Sequence, residues 1–210
     1  MLFRSLELNP SHLLTRLWYA EYFSRLGRDE EALAESARAL ALDPVSPLSH
    51  NNRAMILWAA HRFDDAVREA RRALELDPNF VNAYWWMGAA QAHQGDLPKA
   101  IESFARGLAM SDGTVFRGLL GHAYGLAGQK AKALELLAEI EKIARNRYVS
   151  PVDLAVIHAG LGEADSTFQW METAFRTRAT RVHELRRPYF DKFKSDPRYT
   201  DLLRRTGLQA

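Results

Sequence analysis

Apolar residues in this chain recur at helical spacing. Ala66, Ala70, Ala73 and Leu74 fall at i, i+4, i+7 and i+8, one stripe of a helix, while Arg68, Glu69, Arg71, Arg72 and Glu75 occupy the other faces. Such stripes are separated by Gly or polar turns and by Asp-Pro steps. The residue before a proline is pushed out of the helical region, so Asp43-Pro44 and Asp77-Pro78 each stop a helix. The pattern predicts pairs of helices of about 12 to 14 residues each. Near the end, Ser195-Asp196-Pro197 offers an N-cap with Pro at the first helical position. Tyr199, Leu202 and Leu203 then give one apolar face before Gly207, which predicts a final helix of about ten residues.

The helix pairs repeat. LALDP ending at Pro44 and LELDP ending at Pro78 lie 34 residues apart, and LELNP ending at Pro10 lies 34 before the first. Gly27-Arg28, His61-Arg62 and Gly95-Asp96 recur at that interval, as do Ala32, Ala66 and Ala100. This resembles the tetratricopeptide repeat, whose pattern sets small residues at positions 8 and 27, a turn near 15, Ala at 20 and Pro at 32. On that register position 8 reads Ala20, Ala54, Gly88, Gly121 and Ala155, and position 27 reads Ala39, Ala73, Gly107, Ile140 and Ala174. Position 20 reads Ala32, Ala66, Ala100, Ala133 and Thr167. Small residues suit these places because two helices cross closely there. The fourth unit departs most, with Ile140 at 27 and Arg145 in place of Pro at 32.

The resemblance implies an all-α fold, a right-handed α-solenoid of helix-turn-helix repeats in which each unit buries its apolar faces against its neighbours. The expected division is a solenoid over 1–181, with a partial unit 1–12 and units 13–46, 47–80, 81–113, 114–147 and 148–181, followed by a C-terminal capping segment over 182–210. Met1 to Pro10 reads as the last part of a second helix, so the chain is expected to be a piece of something longer; a natural N-terminal capping helix is the alternative. The stretches 159–179 and 187–208 are similar to the carboxyl end of bacterial multidomain signalling proteins. In those, repeat units follow a winged-helix, adenylate cyclase or kinase domain, sometimes with a membrane helix between.

Composition narrows the picture. The 210 residues are 47% apolar and 26% charged, the balance of a globular chain rather than a disordered one. There is neither an apolar run of membrane-spanning length nor a secretory signal at MLFRSLELNP. The expected compartment is the cytoplasm, or the periplasm should the parent carry a preceding membrane helix. With no Cys, disulfides, thiolate metal sites and Cys nucleophiles are excluded, whereas the redox compartment stays undetermined. The net charge of +2 hides an asymmetry: residues 176–205 carry ten basic against four acidic side chains, a net of +6, leaving −4 elsewhere. Such a basic end could attract an acidic partner.

A search for chemistry finds little. The seven histidines (His12, His50, His61, His93, His122, His158 and His183) form no HExxH or H-x₃-H pair, and no metal or other cofactor is expected. GLLGHAYGLAG, residues 118–128, lacks the phosphate-loop pattern and reads as close helix packing; no GxSxG elbow appears. The chain is expected to be no enzyme. Tyr189, Phe190, Phe193 and Tyr199 interleave with basic residues, but their helical spacing favours packing on the last repeat, so no nucleic acid partner is expected.

What remains is the groove. In the family, positions 2, 5, 9, 12 and 13 of each first helix line a concave wall where peptides bind. The resemblance carries this to Asn51, Met55 and Trp58 of the second unit, Asn82, Trp85, Ala89 and His93 of the third, and His122 of the fourth, with Trp86 alongside. Asn can bond a peptide backbone, while Trp and Met give adaptable apolar contact. The competing reading is that Trp58, Trp85 and Trp86 pack between repeats. A chaperone-type carboxylate clamp is set aside, because Leu17 and Glu21 stand where its Lys and Asn belong, and Asn82 and Trp86 where its cations belong. The sequence thus points to a protein-interaction module of a larger bacterial signalling or regulatory protein. The alternative is an architectural solenoid that self-associates or docks on its parent's effector domain, with a homodimer left open.

Overall fold

The computed structural model describes residues 8–208. Eleven α-helices run through them in order: α1 Leu13–Arg25, α2 Asp29–Leu42, α3 Pro47–Ala59, α4 Phe63–Leu76, α5 Val81–His93, α6 Leu97–Ala109, α7 Thr114–Leu126, α8 Lys130–Ala144, α9 Pro151–Leu161, α10 Ala164–Arg176 and α11 Pro197–Thr206. Between α10 and α11 the chain makes two 3₁₀ turns, Val182–Arg186 and Pro188–Phe193. The fold is all-α and built of helix-turn-helix repeats of the solenoid kind. The helix end read into Met1–Pro10 falls largely on residues 1–7, outside the described residues.

One backbone device makes all five repeat turns. At position 15 of each unit the chain enters the left-handed region, at Gly27 (φ 76°), His61 (φ 60°), Gly95 (φ 81°), Gly128 (φ 70°) and Gly162 (φ 79°). The next amide then reaches back to a carbonyl five residues earlier: Arg28 to Phe23, Arg62 to Leu57, Asp96 to Gln91, Gln129 to Tyr124 and Glu163 to His158, at 2.8–3.0 Å. That is a Schellman closure, and it satisfies carbonyls that the helix end would leave orphaned. Of these five residues, His61 alone carries a side chain into this conformation, which glycine tolerates without a steric penalty.

The chain divides into two compact units, one ending at Ala90 and the other beginning at Gln91. In the first, α1 to α4 bury Ala20, Ala32, Ala54 and Ala66 completely at the helix crossings, around Tyr19, Phe23 and Ile56. In the second, glycines bring α7 and α9 together. A Cβ on Gly125 would stand 2.6 Å from the Gly160 carbonyl carbon, and one on Gly160 would stand 2.4 Å from His122 O. The glycine-rich stretch 118–128 is therefore a packing seam.

The proline-less exit of the fourth unit is handled by length. Helix α8 runs for 15 residues, and Ser150 then caps α9 with Pro151 in its first turn. Helix α11 starts as its sequence suggests, with Asp196 accepting from the Arg198 amide and Gly207 (φ 71°) at its end. Its Tyr199 and Leu202 are buried, and it packs on α10 and on the 182–186 turn.

Candidate functional site

In the first compact unit, helix α3 is flanked by α1, α2 and α4 and is buried on most of its circumference. Ser46 fixes its start by accepting from the Ser49 amide at 3.2 Å, and Pro47 occupies the first turn. This places Asn51 and Met55 at the margin of the packed interior, each 8% exposed. Asn52 donates to Leu17 O at 3.3 Å, so the sixth position of one first helix seats on the fifth position of the preceding one. The side-chain oxygens of Asn51 and Asn52 are buried without a hydrogen-bond partner among the described residues. An unpaired buried acceptor is costly, and a donor brought to it recovers that cost.

Helix α5 contributes a tryptophan pair beside this. Trp85 and Trp86 stack with centroids 4.6 Å apart and 23° between planes, and Trp86 leans on Trp58 at 5.5 Å. Both residues of the pair are half-buried and Asn82 is exposed. Trp86 also packs on the cluster that holds Met55.

Two of the expected groove residues lie elsewhere. Trp58 and Ala89 have no exposed surface at all, so neither can touch a ligand here; Trp58 supports the pair from beneath. Trp58 is packed inside the first compact unit.

In the second compact unit the expected groove residues meet the chain's own tail. Tyr189 is buried, its ring edge-on to His122 at 5.4 Å and tilted on His93 at 6.3 Å. His122 is 3% exposed, and its Nδ1 donates to Val156 O at 2.8 Å. Burial pushes its pKa down from the ordinary 6.5 to about 3, so the ring is neutral. His122 is thus a packed core side chain rather than a ligand contact, while His93 stays half-buried beside Tyr189.

A buried ionic cluster pins this tail. Asp153 pairs with Arg181 and accepts from Thr114 Oγ1 at 2.7 Å, and Arg181 grips Glu184 at 2.5 and 2.9 Å. Burial raises the Asp153 carboxyl despite Arg181 and Thr114. Burial alone would raise Glu184, but the charge and hydrogen bonds of Arg181, together with the nearby His183 and Arg187, hold that carboxyl below its usual range.

The sequence reading expected Tyr189 to pack on the last repeat but not to meet His93 and His122, and it did not foresee the contact of Asn52 with Leu17 O. A signal for such cover existed: apart from Asp153 and His158, PVDLAVIHAGL is apolar all round, and a helix of that kind needs cover on most of its faces. Among the described residues no group of three or more His, Asp or Glu converges to hold a metal, and no helix is long and apolar enough to cross a membrane.

Repeat register, turn closure and small-residue crossings together define a helical-repeat protein. Residues 51–113 match the family model of the tetratricopeptide repeat. Among curated proteins, the chain is similar to Hsp70-Hsp90 organizing protein of Triticum aestivum, at 36% identity over 84 residues, 40% of this chain and 14% of that protein. It is similar also to tetratricopeptide repeat protein 33 of Xenopus laevis, at 35% identity, 39% of this chain and 32% of that protein. The chain therefore spans a third or less of the length of these relatives. Among solved structures, a thermophilic TPR protein of Thermus thermophilus matches with TM-score 0.66 at 19% identity, over 81% of this chain and 86% of that one. PilW, a type IV pilus biogenesis factor, matches with TM-score 0.65 at 20% identity, over 96% and 87%. These likenesses show the fold.

Proposed function

We propose that the chain is a non-enzymatic protein-interaction module whose ligand is a peptide segment lying on the first compact unit, against Asn51, Met55, Asn82, Trp85 and Trp86. The observation that carries this is the half-buried Trp85–Trp86 stack, a rigid amphipathic platform of the kind that dominates binding hot spots. Asn82 on the same helix is exposed and supplies an amide that can bond a peptide backbone. The ligand-binding role is placed here rather than at His93 and His122 because Tyr189 already covers those two. A partner-organising role agrees with the name of the wheat relative, an organizing protein for Hsp70 and Hsp90. The likeness of the tail to bacterial signalling proteins favours a parent of that kind, with this segment choosing its partner.

Panning a displayed peptide library on the intact chain tests the reading. Peptides that are retained should lose about 30-fold in affinity on Trp85→Ala, the equivalent of about 2 kcal/mol. Selected peptides that bind Trp85→Ala as well as the parent would refute it.

A further inference from the structure

The wall of the first compact unit is shallow. Trp58 and Ala89 have no exposed surface and Asn51 and Met55 are 8% exposed, so its open part is the Trp85–Trp86 stack with Asn82 beside it. An amphipathic helix, about 10 Å wide, docks through anchors spread over two turns into a groove, and two adjacent rings do not make one. The surface suits a thinner ligand, an extended chain.

Side-chain chemistry says which extended chain. At positions 2, 5, 9, 12 and 13 of the first helices in this unit, the only charged side chains are Glu21 and Arg25, and they pair with one another. A charged ligand side chain thus meets no free counter-charge at these positions. A β-type peptide brings backbone N–H groups that need acceptors, and the side-chain oxygens of Asn51 and Asn52 are buried and cannot serve. Proline removes that need: it has no N–H, its carbonyl accepts, and proline-rich chains dock on aromatic surfaces.

Spacing agrees. Asn82 precedes Trp85 and Trp86 by three and four residues, so its amide lies about one helical turn, ~5.4 Å, from the indoles along α5. A polyproline II chain advances ~6 Å in two residues, so a proline seated on the indole stack sets a carbonyl two residues away beside the Asn82 amide. Such a chain is also stiff before it binds, which suits a small contact surface because little ordering entropy is lost. We propose that the ligand of this wall is an uncharged, proline-rich segment in the polyproline II conformation, with its rings on Trp85 and Trp86 and a carbonyl accepting from Asn82. This rests on the reading of the Trp85–Trp86 stack as the contact surface.

Titration of the intact chain with capped decaproline, read by the indole N–H and Asn82 side-chain amide signals of a ¹⁵N-labelled sample, tests it. The expected dissociation constant is about 0.1–1 mM, as for few anchors on a stiff ligand, and it should change less than about twofold between about 50 and 500 mM salt. Trp85→Ala should weaken binding at least about tenfold. Asn82→Asp keeps the size of an exposed side chain but removes its N–H donors, and should weaken binding about fivefold. A capped helical peptide of Leu, Ala, Glu and Lys, run in parallel, should leave the Trp85 and Trp86 signals in place. Decaproline that shifts neither indole at up to ~10 mM overturns the proposal, as does binding that Asn82→Asp leaves unchanged or a helical peptide that binds there more tightly. If library-selected peptides depend on Trp85 while decaproline fails, the contact surface stands and the proline-rich ligand falls. If no peptide of either kind depends on Trp85, both fall.

Discussion

Single side chains show where inference from residue type stops. Position in the repeat put Trp58, Trp85 and Trp86 on one wall, yet Trp58 is fully buried while the other two keep a surface. A helical position fixes direction, not depth, and depth depends on how large the neighbours' side chains are. His122 is the same lesson with a charge consequence. Its folded pKa of about 3 against an ordinary 6.5 means that the unfolded chain takes up a proton which the folded chain refuses. Stability is therefore full above pH 6.5 and is lost as pH falls toward 3. From pH 7 to pH 5 the loss from this group should be about 2 kcal/mol. Urea unfolding at the two pH values should show that loss in the parent and its near-absence in His122→Gln; equal losses would mean that His122 is protonated in the fold.

Elements were far more legible than depths. Asp-Pro stops, the Asp196 cap and the 34-residue turn spacing all rest on local backbone rules, and those rules act within a few residues. The 3₁₀ turns were not legible, because nothing local specifies them: they exist to cover α9 and are held by Arg181 on Asp153, 28 residues away. The glycine seam lies between these cases. GLLGHAYGLAG announces close packing, but that Gly125 meets Gly160 follows only once the register of α7 on α9 is set. Gly160→Ala puts a methyl group against backbone atoms that cannot give way, so it should cost about 3 kcal/mol in a thermal or urea melt. A cost below about 0.5 kcal/mol would mean that the two helices are farther apart than described.

At the scale of the whole chain, part of the basic excess of the carboxyl end is spent internally. Arg198 pairs with Asp165 and Asp196, Arg205 with Glu172 and Asp201, Arg204 with Asp201, and Arg181 with Asp153 and Glu184. Its charge thus ties the tail down. The 188–193 turn packs on α9 and α11 packs on α10, and the first compact unit keeps open apolar surface at Trp85–Trp86.

The five tryptophans (Trp18, Trp58, Trp85, Trp86 and Trp170) provide the most direct test of where a ligand sits. Each indole N–H gives its own resonance in a ¹⁵N-labelled sample, and each can be assigned by single substitution. On titration with a peptide selected on the intact chain, the Trp85 and Trp86 signals should shift first and furthest, while Trp170 stays in place. Saturable binding that moves Trp170 and leaves Trp85 and Trp86 untouched would contradict the account.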